Sequence, residues 1–252
     1  MPQNRWVSNA SWRPSAIPEG PVLPSLEAVY LTDPVLLAAV LPPPLEAPPE
    51  PRVHARVTTI DLALPNGHRH QEKVGFFAVD AVYQGTLGEY PLMIPIDLES
   101  AVAISRERFG EPKKLAEIEM ERDGSHVRAS VSRHGVTFIE MVGDVAEELP
   151  VPGPYAATQF WFKFLPAIEG PGFDAGPLLV RVDQVRTPIT AERVEGKLVL
   201  RDVATAPVAD LPVEEFVSLT WTTRKSSVSP KVVGPVDAEK FAPFAFARYD
   251  NV

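Results

Sequence analysis

The sequence predicts an α+β protein that is mainly antiparallel β, with a few short helices. Three observations predict it. Proline is unusually common, 28 among 252 residues, and proline confines strands to edges, bulges and turn-bounded segments. Two hairpin dipeptides, Asn66-Gly67 and Asp123-Gly124, each sit between stretches where apolar and polar residues alternate, as paired strands joined by a tight turn require. Helical spacing, by contrast, is confined to short stretches with their own start or stop signals.

Taken in order, residues 1–24 carry Trp6, Trp12, Pro14, Pro18, Pro21 and Pro24 without periodicity. They read as an extended arm packing on its own domain or on a neighbouring subunit. Leu26–Leu31 is a strand. Asp33-Pro34 then offers an N-cap and a first-turn proline for a helix through Leu41, stopped by Pro42-Pro43-Pro44. Pro48, Pro49 and Pro51 prolong the stop into a rigid connection, a commoner use of proline than a polyproline II ligand. Val53–Leu62 and Gln71–Tyr83 are strands around the Asn66-Gly67 turn, and Glu89–Ile96 is a third. Ser100–Phe109 is helical, with Ala101, Ile104 and Phe109 toward one face, Gly110 as its stop and Pro112 forbidding continuation.

Ile118–Arg122 and Ser125–Val131 pair around Asp123-Gly124, and His134-Gly135 introduces a strand from Val136 to Glu147. The aromatic run Gln159–Pro166 reads as a core strand. Leu178–Val185, Arg186–Ile189 and Lys197–Leu200 are further short strands. Leu211–Val217 opens a helical turn before the strand Ser218–Thr223, and Val236–Phe246 is a short helix with an aromatic face. No repeat or composition break divides the chain, so residues 1–252 read as one domain.

Composition narrows the function classes. With 24 basic and 33 acidic residues the net charge is −9, which argues against a nucleic-acid surface. An anionic substrate would need a local positive pocket within that negative field. No apolar run approaches the roughly 18 residues of a membrane helix, and Met1–Trp6 lacks the apolar core of a signal peptide. The chain has no cysteine, so neither disulfide nor thiolate chemistry is expected and a cytoplasmic location is. His68 and His70 flank Arg69 at a turn, but no further ligand is spaced to complete a metal site. Exposed turn histidines are expected there, and no metal or cofactor.

The chemistry-bearing stretch is Ser105-Arg106-Glu107-Arg108-Phe109-Gly110-Glu111-Pro112-Lys113-Lys114-Leu115. A lysine with its ordinary pKa near 10.4 is almost wholly ammonium at neutral pH, whereas attack on a ketone needs the free amine. Burial or a nearby cation disfavours the ammonium. If the segment after Pro112 is extended, its two lysines point to opposite faces. Parity with Ala116, Ile118 and Met120 puts Lys114 on the apolar face.

This stretch resembles the active-site segment of the acetoacetate decarboxylase superfamily, in which a Pro-Lys-Lys-Leu sequence follows an Arg-Glu helix. The resemblance extends to Tyr30-Leu31-Thr32-Asp33, to Phe162-Lys163-Phe164-Leu165-Pro166 with Glu169-Gly170-Pro171, and to Ala206–Ser218. It implies a closed or partly closed β-barrel with a few short helices, which the strand count suits, assembled into homo-oligomers. It also implies cofactor-free Schiff-base chemistry on a small oxo acid. Lys113 is then the nucleophile and Lys114 the residue that tunes its pKa, with Lys114 the rival nucleophile on parity. Arg106, Glu107 and Phe109 become substrate-site candidates, the first two with a scaffold role as the equal alternative.

The pattern also departs from the family's. Leu23 stands where decarboxylases carry an arginine, and Ala55 or Arg56, depending on register, where they carry an acid. A second family acid corresponds to Glu72 if a gap is allowed near Asn66-Gly67. Phe109 stands where aldolase-dehydratase members carry a glutamine. Tyr83, Tyr90 and Tyr249 are undistinguished candidates for proton transfer. These departures favour a divergent carbon–carbon lyase or aldolase-dehydratase over a true acetoacetate decarboxylase. A non-catalytic binding protein on the same fold is the third reading.

Overall fold

The computed structural model describes residues 22–63 and 69–245. Among these are three α-helices and eleven strands, the strands forming one mixed sheet. The strands are β1 (Val22–Leu31), β2 (Arg52–Ala63), β3 (Arg69–Tyr83), β4 (Thr86–Ile96), β5 (Lys113–Leu115), β6 (Glu117–Asp123), β7 (His126–Arg133), β8 (Val136–Glu148), β9 (Tyr155–Pro166), β10 (Phe173–Leu200) and β11 (Glu215–Pro235). The helices are α1 (Pro34–Ala39), α2 (Glu99–Phe109) and α3 (Ala238–Ala245).

The hydrogen-bonded path β11-β1-β2-β3-β4-β9-β10 closes on itself because β10 also pairs β11, giving a ring through seven strands. Beyond it, β10 continues into β8, β7 and β6. Pairing is antiparallel except where β4 meets β5 and, at Glu89↔Gln159, β9. The expected α+β, mainly-β class holds, while the expected barrel is met only in part, by a ring within a larger mixed sheet.

The outward side chains of the ring, among them Leu26, Tyr30, Val57, Phe77, Val79 and Phe160, are buried in the main core. Val127, Ala129, Val131 and Met141 from β7 and β8 join the same core, so the β6–β8 extension folds back over the ring's outer surface. Alternation thus buries both faces of the ring strands, one apolar and the other, described below, largely charged.

Several boundaries shift. β1 begins at Val22, so residues 22–24 belong to the sheet, while residues 1–21 lie outside the described residues. The Asn66-Gly67 turn lies there too, although Ala63↔Arg69 pairing shows β2 and β3 to be the hairpin it predicted. Asp33 caps α1 as expected, its Oδ1 accepting from Val35 and Leu36 N at 2.7 and 3.1 Å, but α1 ends at Ala39. The three short strands read within 178–200 are one strand of 28 residues. Register shifts between Leu179 and Val180 and between Pro188 and Thr190 bend it around three partners, and local sequence reads each bend as an end. The helical turn expected over 211–217 is a 3-10 turn at Val208–Asp210.

α2 stops at Gly110, which takes φ +79° and donates to Arg106 and Ser105 O. Its packed residues are Leu98, Ala101 and Val102, set against Val74, Phe76, Ile94 and Ile96. Ile104, expected on the apolar face, is exposed instead. α2 therefore covers one end of the ring's inside.

Candidate active site

Pro112 O accepts from Ile94 N at 3.0 Å, and this docks the short β5 against β4 in parallel register, Ile94↔Lys113 and Pro95↔Lys114. A paired residue shares its partner's face. Lys113 therefore lies with Ile94 on the ring's inner face, and Lys114 is turned to the outer one. The Lys113 side chain is 13% exposed, with Nζ 3.1 Å from Ser105 Oγ on α2 and 3.1 Å from Glu111 Oε2. Lys114 is 7% exposed and donates to Thr205 O at 3.3 Å, a carbonyl that also accepts from Arg133 Nη1 at 3.1 Å. Lys114 borders a cavity of about 370 Å³ lined chiefly by apolar residues such as Phe77, Leu92, Met93 and Val208.

The inside of the ring is charged. Arg56 Nη2 on β2 donates to Glu27 Oε1 on β1 at 2.5 Å and to Glu89 Oε1 on β4 at 3.1 Å. Arg186 on β10 donates to both Glu89 oxygens, at 3.0 and 3.1 Å, and Gln159 on β9 donates to Oε2 at 3.1 Å. Arg56 reaches Glu89 across β3, and Arg186 reaches it across β9. Side chains meet across an intervening strand only on the concave side, so this face is the ring's interior. His54 on β2 holds Glu27 at 3.2 Å and Asp80 on β3 at 3.0 Å, one through each ring nitrogen, as a doubly protonated imidazolium does.

The electrostatics follow from burial and pairing. Burial opposes the charge on Glu27, but Arg56 and His54 outweigh it and hold the carboxyl well below the usual range. Glu89 is likewise depressed, burial being overcome by Arg56 and Arg186. Burial would lower His54, yet its bonds to Asp80 and Glu27 raise it to about 10. Toward the end covered by α2 the interior turns apolar. Phe109 packs edge-to-face on Trp161 with centroids 6.1 Å apart, beside Val180, Val182 and Val228.

The register settles which residues share Lys113's face. Leu23 pairs Arg224, Arg56 pairs Glu27, and Ile60, of the Val74–Ile94 inner cluster, pairs Glu72. Leu23, Arg56 and Glu72 therefore face inward with Lys113, while Ala55 is buried in the outer core. Of the two registers left open, Arg56 is the one that shares the lysine's face. Glu72 is buried at 5% exposure. Arg106 and Glu107 sit elsewhere, in a groove between α2 and β9 lined also by Lys163 and Leu165. Lys114 and Lys113 point apart, so any influence of one on the other passes through the sheet.

Sequence reasoning missed Ser105 and Glu111, the residues that hold Lys113, and the interior network of Glu27, His54, Asp80, Glu89, Gln159, Arg186 and Arg224. A signal existed: polar residues at alternate positions of otherwise apolar strands, as in Leu26-Glu27-Ala28 and Ala55-Arg56-Val57. The same alternation marks a solvated strand face, so alone it does not identify an interior. His68 and Tyr249 lie outside the described residues, as does the His70 side chain. Among the described residues no group of three His, Asp or Glu is placed to hold a metal, and no helix is long and apolar enough to cross a membrane.

Comparison with known proteins places these features. Residues 1–234 match the family described as acetoacetate decarboxylase. The acetoacetate decarboxylase of Burkholderia vietnamiensis is 31% identical over 204 residues, covering 75% of this chain and 76% of that protein. That of Clostridium beijerinckii is 29% identical over 215 residues, covering 82% and 85%. Among solved structures, the enduracididine biosynthesis enzyme MppR complexed with pyruvate superposes with a TM-score of 0.76 over 93% of this chain and 96% of that one, at 16% identity, a likeness of fold. With a family match running from the first residue past the last ring strand's midpoint, this chain belongs to the acetoacetate decarboxylase family.

Proposed function

We propose that the protein is a Schiff-base lysine enzyme acting on a small oxo acid, with Lys113 as its nucleophile. One observation carries the choice of lysine: Lys113 is the member of the pair that faces the charged ring interior. The free amine adds to the substrate ketone and water leaves, giving a protonated imine. That imine accepts the electron pair of an adjacent C–C or C–H bond as CO₂, a carbonyl fragment or a proton departs, which yields an enamine; a proton returns to carbon, and water releases the amine. Glu72, buried on the same inner face, is the candidate for proton transfer, and Phe109 with Trp161 supplies an apolar wall.

The reaction type follows from the replaced charges. Leu23 and Arg56 face inward at places where decarboxylases carry an arginine and an acid, so the environment that expels CO₂ is altered. A divergent carbon–carbon lyase or aldolase-dehydratase reaction on a pyruvate-type enamine fits this interior best, and the pyruvate bound to a protein of the same fold supports the substrate class. Acetoacetate decarboxylation is the second reading, favoured by the relatives at 31% and 29% identity. A homo-oligomeric, cytoplasmic enzyme without cofactor completes the proposal.

The test is reductive trapping. Incubation with pyruvate or acetoacetate, then borohydride, should leave one reduced-imine adduct on Lys113, the substrate less one oxygen or, where acetoacetate has lost CO₂, an isopropyl group, and Lys113→Ala should abolish it. An adduct on Lys114 would move the chemistry to the outer cavity. No adduct with either acid would leave the binding-protein reading. Release of CO₂ from acetoacetate ranks the two enzyme reactions.

A further inference from the structure

We propose that Arg224 on β11 is the residue that binds the substrate carboxylate, standing in for the arginine that Leu23 has replaced. The inference deepens the oxo-acid reading above and rests on it. Leu23 and Arg224 are direct cross-strand partners, so an arginine lost from β1 has an arginine opposite it on the same inner face.

Arg224 is a buried guanidinium fixed along one edge. It is 8% exposed, yet among the described residues no carboxylate holds it, unlike Arg56 and Arg186. Nη1 donates to Ser25 Oγ at 3.2 Å. Ser25 is itself fixed, donating to Thr58 Oγ1 at 2.8 Å, which donates to Pro24 O at 2.8 Å. One edge of the guanidinium is thus pinned while Nε is buried without a partner. A planar guanidinium held this way offers a donor edge to a carboxylate. A buried, unsatisfied donor is costly, and such costs persist where a ligand relieves them. Trp161 Nε1, Arg56 Nε and the Thr222 hydroxyl are also buried without partners, and all belong to positions that face the ring interior. Each is a donor on the inner face that an acceptor-rich guest within reach would satisfy.

The charge pairing agrees. Arg56, Arg186 and protonated His54 are paired with Glu27, Asp80 and Glu89, and Lys113 with Glu111, so among the described residues these pairs leave Arg224 without a carboxylate of its own. Burial and the like charges of Arg56 and Arg186 push Arg224 down to about 10, so the field at that point favours an arriving anion. Along β11, Arg224 stands between Thr222 and Val228, the latter in the apolar cluster of Phe109 and Trp161. A small oxo acid needs that border, a cation for its carboxylate and an apolar wall for its carbon chain.

The experiment compares wild type, Arg224→Met and the exchange Leu23→Arg/Arg224→Leu, each first checked for cooperative melting. Borohydride trapping is titrated with pyruvate and with acetone, a ketone lacking the carboxylate. Arg224→Met should raise the half-saturating pyruvate at least about 10-fold, as loss of a charge-assisted pair does, and leave acetone trapping unchanged. The exchange should recover pyruvate. Equal effects on pyruvate and acetone, or no effect on either, overturn the assignment. Isobutyrate, which forms no imine, separates this from the Schiff-base reading. Saturable thermal stabilisation of wild type by isobutyrate, absent in Arg224→Met, upholds the anion site even if no adduct forms. Trapping that depends on Lys113 but not on Arg224 sinks the anion site alone.

Discussion

Glu89 gathers three groups of the interior, accepting from Arg56, Arg186 and Gln159. Glu89→Gln keeps the shape and removes the charge, which leaves two buried guanidinium groups short of an anion. Breaking a buried pair from one side costs about 3–5 kcal/mol, so the denaturant midpoint of E89Q should fall by that equivalent. Lys113→Met and Lys114→Met, each losing a single cation with shape largely kept, should differ in trapping far more than in stability. Glu89 was legible in the sequence only as the start of a strand. Its partners lie 33, 70 and 97 residues away, and no local pattern reports such separations. The lysine pair was legible because its chemistry is contained in adjacent residues, and parity named the face of each before any coordinates did.

At the scale of elements, α2 owes its position to the glycine that ends it. A Cβ added at Gly110 would fall onto Phe162 O and within 2.5 Å of Lys163 Cα. The φ of +79° adds strain of its own. Gly124, at φ +59°, has nothing within 4 Å of its Cβ position, so it isolates the backbone cost. Gly124→Ala should cost about 1–2 kcal/mol, read from urea midpoints. Gly110→Ala should cost clearly more and also slow borohydride trapping, because it displaces the turn that delivers Lys113. This stop was legible from Gly110 and Pro112 alone. The continuous β10 was not, because Gly176, Pro177 and Pro188 look like breaks to a reader without its three partners. A tolerated bulge and a chain end share the same residues.

For the whole molecule, the buried charges predict how stability follows pH. Glu27 and Glu89 are held below their ordinary value of 4.5, so their contribution is present above that value and lost as pH falls beneath it. His54 is raised from 6.5 to about 10, so its contribution is complete below 6.5 and drains away as pH rises toward 10. The groups around His54 are Glu27, Asp80, Glu89 and Arg56. Stability from this network should therefore be greatest between 4.5 and 6.5 and decline on both sides. Urea midpoints measured at about pH 5.5 and about pH 9 should differ in wild type and converge in His54→Gln. A flat wild-type profile across that span would contradict the assignment. The fold class and domain unity were visible from proline usage and turn dipeptides. The polar interior was hidden because a charged strand face reads as solvent-facing until the ring is known to close.

The two-residue link Glu111-Pro112 has one more implication. β5 is anchored at one end by Pro112 and Ile94 and at the other by Ala116 N on Ile96 O, and side chains along it alternate. Shortening or lengthening the link by one residue would flip the parity, sending Lys114's amine inward and Lys113's out while leaving the dipeptide unaltered. On the proposal that Lys113 is the nucleophile, inserting or deleting one residue in this link should move borohydride trapping from Lys113 to Lys114 without any substitution.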